Sequence, residues 1–177
     1  MQVNLAKTPI ENILDLIKAT AGNETAAASL TTAMFTAGVP AVRVPDADPS
    51  NTTLVLTAVA GQGIQTGTTK TLTYKRLALD SKITAPGNVV VVAGDTEAQV
   101  KTKIAAAYGL VESELTFGAI VVPAEGDTET VTVEVAASSL LYVDADGIIV
   151  TIENPAEPAD FDSFVPQGQL DGFDAQS

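Results

Sequence analysis

Asp95-Thr96-Glu97-Ala98-Gln99 opens the stretch, residues 95–153, whose reading decides the fold. Thr96 and Gln99 have the spacing of a capping box, in which each side chain satisfies one orphan amide of the first helical turn. Val100, Ile104, Ala107 and Tyr108 follow at helical spacing and predict one apolar stripe. Gly109 comes next, where a left-handed C-cap needs no side chain. Thr130-Val131-Thr132-Val133-Glu134-Val135 alternates strictly, so its valines face a core and its threonines and Glu134 face away. Ile148-Ile149-Val150-Thr151-Ile152 is the expected partner strand, reached through the turn Asp144-Ala145-Asp146-Gly147. The stretch reads as a helix laid on an antiparallel sheet, a building block rather than a catalyst.

The same grammar extends towards the N-terminus. Thr8, Pro9 and Glu11 mark a second capping box, and Ile10, Ile13, Leu14, Ile17 and Ala21 form the stripe of a helix over about residues 8–21. Residues 24–38 carry mixed signals and read as a loosely helical or irregular connection. Val39–Val44 is a short strand that Pro40 and Pro45 confine to an edge. Thr52–Val59 and Lys70–Leu79 make a hairpin across the glycine-rich segment from Gly61 to Gly67. Val89-Val90-Val91-Val92 is apolar on both faces and predicts a fully covered strand. Leu115–Pro123 adds another through Phe117, Ile120 and Val122.

The resulting expectation is an α+β fold: one antiparallel sheet of about six to seven strands, two helices (about 8–21 and 95–108) packed on it, and an extended C-terminal tail. Residues 1–153 form the α+β domain and residues 154–177 an acidic arm. Residues 53–60 can be laid over residues 130–137, which suggests a finer division into two related hairpin modules, about 39–93 and 95–153.

Composition narrows the function. The chain has 177 residues and a net charge of −13, from 22 acidic and 9 basic residues. Such a surface repels phosphate backbones and anionic lipid, so neither nucleic acid nor membrane is an expected partner. The absence of cysteine and histidine removes disulfides, thiolate chemistry, common zinc sites and His-based triads. No enzyme activity and no cofactor are expected. Asp144 and Asp146 resemble the start of a calcium loop, but Glu153 falls short of the glutamate position that the loop requires, so a plain turn is the preferred reading. Asp46, Asp48 and Asn51 read the same way. Gly61-Gln62-Gly63 is followed by neither a helix start nor a lysine and fails as a phosphate loop.

Beyond Asn154 the composition changes. Pro155, Pro158 and Pro166 break regular structure, and five carboxylates load the segment with charge: Glu157, Asp160, Asp162, Asp171 and Asp174. Yet Phe161, Phe164, Leu170 and Phe173 are spaced along it as separate anchors, and these are the expected partner-binding residues. Extended, residues 154–177 reach about 80 Å at roughly 3.3 Å per residue.

Three blocks together carry a family resemblance: residues 51–58 with Gly61 and Tyr74-Lys75-Arg76-Leu77; Ile104-Ala105-Ala106-Ala107-Tyr108-Gly109-Leu110; and Thr130–Val133 leading to Ser138-Ser139-Leu140-Leu141-Tyr142-Val143. Over about residues 5–153 the chain resembles a domain of virion structural proteins from very large tailed bacteriophages, a domain without assigned function. Gln62-Gly63-Ile64 departs from the serine-plus-aromatic step of that pattern. The resemblance implies a virion location and a structural subunit of head shell or tail. The implied partners are other virion proteins, copies of itself and a major shell or tube protein. The resemblance carries no catalytic residues. The anchors of the arm, read by themselves, place it across an adjacent subunit, with folding back on its own domain as the alternative. The alternative is a tail-fibre or baseplate module that recognises a host-surface carbohydrate through the Gly61–Gly67 loop. A hydrolase using Asp or Glu is a third reading, without a nucleophile context.

Overall fold

Two capping boxes start the two helices of the computed structural model, which describes residues 2–44, 49–143 and 146–158. In α1 (Pro9–Ala19) Glu11 N–H donates to Thr8 Oγ1, and Thr8 N–H donates to the Glu11 carboxylate. In α2 (Glu97–Ala107) Thr96 and Gln99 exchange the same pair of bonds. Both helices are shorter than the expected 8–21 and 95–108. Thr20 turns extended and caps α1, which leaves Ala21 outside and exposed. Gly109, at φ +61°, ends α2 in the left-handed region. The buried face of α2 is centred near Ile104, so Ala105 rotates inward with Val100 while Ala107 faces solvent. Asn12, unremarked in the sequence, is buried on α1. Its side chain accepts from Asn4 N–H and donates to Asn4 O and Thr8 O, which ties residues 4–8 to the helix.

The strands form several sheets, not the single antiparallel sheet expected. In the first, β3 (Thr52–Ala58) pairs with β4 (Thr69–Tyr74) on one side. Its other side takes β1 (Phe35–Ala37) and then β2 (Ala41–Val42), all antiparallel. A small parallel pair joins β5 (Leu77–Ala78) to β9 (Tyr142–Val143). The other sheet has the order β6-β10-β8-β7. Here β6 is Val89–Val90, β7 Leu115–Phe117, β8 Thr128–Val135 and β10 Ile148–Glu153. β6 runs parallel to β10; the other pairings are antiparallel. The fold is thus α+β with two helices and several sheets.

Three strand readings need correction. The run Lys70–Leu79 is broken after Tyr74, because Arg76 turns into the interior and sends Leu77 to a different sheet. Val89–Val92 is an edge strand covered on one face: Val89 and Val91 are buried, whereas Val90 and Val92 are about half exposed. Leu115–Pro123 is a strand only to Phe117. Gly118 N–H makes one more bond, to Thr132 O, before the chain leaves the sheet, and Ile120 and Val122 pack on the core from a loop. The ambiguous residues 24–38 become turns, a 3₁₀ turn at Thr32–Met34, and β1.

The two halves repeat one order of elements. α1, a 3₁₀ turn, β1, β3 and β4 match α2, a 3₁₀ turn, β7, β8 and β10, with β2 and β9 as additions. Phe35 pairs with Ala58 as Leu115 pairs with Val135. Gly38 N–H donates to Val55 O, and Gly118 N–H to Thr132 O. A side chain at Gly38 would press on Val55 O, 3.3 Å from its Cβ, so glycine suits the point where β1 leaves β3. Each half carries its own core. α1 lays Ile13, with Leu14 and Ile17 beside it, on Leu54, Leu56 and Tyr74. α2 lays Val100 and Ile104 on Val131, Val133, Val150 and Ile152. Ile13 is the fully buried contact of α1, so Ile13→Ala should cost about 2–5 kcal/mol in chemical denaturation. Leu14→Ala should cost less, since Leu14 is half-buried.

Candidate functional site

Where the halves meet, polar side chains are buried among apolar ones. Arg76 leaves the end of β4 and is 4% exposed. Its Nε donates to Thr52 Oγ1 at 2.7 Å and its Nη1 to Ser139 O at 2.8 Å. Ser139 Oγ donates to Glu114 Oε2 at 2.7 Å, and the same oxygen accepts from Leu141 N–H at 2.8 Å. Tyr142 N–H donates to Ser139 Oγ, and Tyr74 Oη donates to Leu140 O at 2.9 Å. Asn51 closes the other side, its Oδ1 accepting from Arg76 N–H and its Nδ2 donating to Arg76 O. Among the described residues every buried side-chain N and O has a partner.

Burial sets the electrostatics of this cluster. It pushes the Tyr74 phenol from its ordinary 10.0 up to about 12; nearby Arg76 opposes the shift and Glu114 adds to it. Burial also lowers the Arg76 guanidinium, against the pull of Tyr74 and Glu114. The Tyr142 phenol is raised by burial, with the Val111 N–H bond to its oxygen acting in the other direction. The groups are bonded to one another across the seam, and of the cluster's side chains Tyr74 borders the groove beside α1, so the cluster is a clamp between the halves. The sequence shows it only as a lone arginine in Tyr74-Lys75-Arg76-Leu77 and a glutamate before Leu115, both of which ordinarily read as exposed.

The surface beside the clamp is open. A groove of about 520 Å³ runs between α1 and β4, lined by Leu16, Ile17, Leu72, Thr73, Tyr74 and Lys75 among others. A second hollow of about 320 Å³, with Leu30, Phe35, Leu56 and Lys70 in its walls, shares Ile17 and Leu72 with it. On the opposite edge of the same sheet, around β2, Val39, Val42 and Val44 are strongly exposed.

Most residues singled out from the sequence are not brought into this site. Phe161, Phe164, Leu170 and Phe173 lie outside the described residues, as do Asp144, Asp46 and Asp48. Asp146 is exposed, and among the described residues no group of three or more acidic side chains is placed to hold a metal ion. Tyr74 and Tyr142 are buried, while Tyr108 is half-buried and donates to Gly87 O.

A family model, described as a family of unknown function (DUF7941), matches residues 2–176. The chain belongs to that family. The DUF7941 match runs through both halves and the acidic arm, so the arm is part of the family's chain and not an appendage to it. No curated protein and no solved structure matches.

The Tyr74 shift makes stability depend on alkaline pH. The folded state holds the phenolic proton more tightly than the unfolded chain, so its stabilising effect is complete below pH 10 and is lost as pH rises towards about 12. Tyr74→Phe should lose about 1 kcal/mol at neutral pH with the hydrogen bond to Leu140 O. It should also show a shallower fall in stability between pH 10 and 12 than the wild type, measured by urea denaturation at each pH.

Proposed function

We propose that this chain is a structural subunit of a tailed-bacteriophage virion, in the head shell or the tail. It acts through contacts between subunits, with its C-terminal arm docked on a neighbour. The observation that carries this reading is the strip of exposed valines along the β2 edge: Val39, Val42 and Val44 are 71%, 71% and 86% exposed. Apolar strips of this kind mark protein–protein contacts. The resemblance of three sequence blocks to virion domains, and the arm's four phenylalanine and leucine anchors, point the same way. The buried polar groups are consumed in holding the halves together, which suits a subunit that must be rigid.

The rival reading, a fibre or baseplate module for a host carbohydrate, would use the loop from Gly61 to Gly67. That loop carries no aromatic residue, and Tyr74 and Tyr142 are buried.

Quantitative mass spectrometry of purified particles tests the proposal. A shell or tube subunit should be present at on the order of hundreds of copies. A few copies per particle would favour a fibre tip, and absence from particles would refute the proposal. Removing residues after Asn154 should lower the copy number while leaving the α+β domain folded; particles filled to the normal level would contradict the docking role of the arm.

A further inference from the structure

The repeat of elements exposes a difference between the halves. In the second half, the segment before α2 supplies β6, which lies beside the outer edge of β10, and Val91 N–H donates to Glu153 O at 2.8 Å. Val89 and Val91 thereby fill the space between α2 and β10, where Ile104 and Val150 are completely buried. The pairings Leu54–Leu72 and Val131–Val150 set Leu72, Thr73 and Lys75 in the places of Val150, Thr151 and Glu153. The capping boxes set Leu16 in the place of Ile104. In the first half this slot is the 520 Å³ groove, and Leu16 and Leu72 are only half-buried. The segment before α1 borders only one end of it, where Gln2 and Val3 line a smaller hollow with Leu16, Tyr74 and Lys75, and Val3 packs on the larger core.

The edge beside the groove is also unpaired. Ala58 N–H donates to Thr68 O, so residues 58 and 68 are a hydrogen-bonded pair. The alternation of an antiparallel ladder then turns the N–H and C=O groups of Thr69, Thr71 and Thr73 away from β3. No described residue bonds to them. A row of open backbone groups above an apolar groove is the receptor geometry for an added strand.

We infer that the groove between α1 and β4 receives the C-terminal arm of a second copy, with Asp160–Val165 added as a strand along β4. This rests on the reading that the arm docks on a neighbour, and names the place. Charge favours this occupant. Residues 159–177 hold four aspartates and no basic residue. Lys70 and Lys75, in the walls of the groove and its adjoining hollow, form no ion pair with a described residue in a chain of net charge −13. Strand alternation would direct Phe161 and Val165 to the groove face and Asp160, Asp162 and Phe164 to the other, the face on which Lys75 stands. Pro166 ends the added strand. The 19 residues beyond Pro158 span about 60 Å when extended, enough to cross to an adjacent subunit.

Amide hydrogen exchange by NMR on the full chain over a concentration series, with sedimentation in parallel, tests the inference. The Thr71 and Thr73 amides should slow by about tenfold or more as concentration rises and self-association sets in. Phe161→Ser combined with Phe164→Ser should abolish both effects. Thr73→Pro removes one outward donor and leaves the ladder to β3 intact, so it should abolish association and Thr71 protection while the fold persists. Lys75→Glu should weaken association without touching the core. If the arm variant stops association but Thr73→Pro and Lys75→Glu do not, the arm docks elsewhere: this inference fails and the parent reading stands. Protection that is independent of concentration would mean that the arm covers its own groove, which overturns docking between copies. Association that survives all the variants overturns both readings.

Discussion

A guanidinium buried to 4% exposure is the constraint around which this structure is arranged. Taking a charged group out of water costs several kcal/mol unless hydrogen bonds replace its hydration. The Arg76 guanidinium finds those bonds on both halves of the molecule, at Thr52 Oγ1 in the first and Ser139 O in the second, while Asn51 holds the Arg76 backbone. Ser139 is held in turn by Glu114, whose carboxylate also takes Leu141 N–H. Breaking any link strands a buried donor or acceptor, so the halves are held in one relative placement.

The position of Arg76 also explains the topology. By turning inward it ends β4, and Leu77 and Leu79 then donate to Leu141 O and Val143 O instead of continuing the hairpin. The chain next contributes β6 to the second sheet, while Leu140 returns to the core of the first half. Each half therefore completes the other. The exchange is unequal, because β10 gains a strand at its outer edge and β4 does not. One slot of the repeat is therefore filled and the other open.

The helices were legible in the sequence because capping boxes are local. Thr8 with Glu11, and Thr96 with Gln99, name their own hydrogen bonds. The hairpin of β8 and β10 was legible through the alternation of Thr130–Val135 against Ile148–Ile152. What failed was long-range. Strands of two residues, such as β5, β6 and β9, are too short to carry a period, so their parallel pairings left no trace and the sheets were merged into one. Val89–Val92 reads as doubly covered because four valines look alike, although only Val89 and Val91 face the core. The clamp was invisible because Arg76 and Glu114 are residue types that ordinarily stay in water, and their burial depends on partners 63 and 25 residues away along the chain. The candidate anchors of the arm rest on spacing and composition and lie outside the described residues.

The clamp makes the two halves one cooperative unit. Native-state hydrogen exchange measures this at the Leu77 and Leu79 amides, which cross the seam to Leu141 O and Val143 O at 2.9 and 3.1 Å. These amides should open only with global unfolding, at the same free energy and denaturant dependence as the core amides of β3 and β8. Exchange at the seam at a lower free energy and with weak denaturant dependence, while β3 and β8 stay protected, would show that the halves separate before they unfold and would contradict that cooperativity.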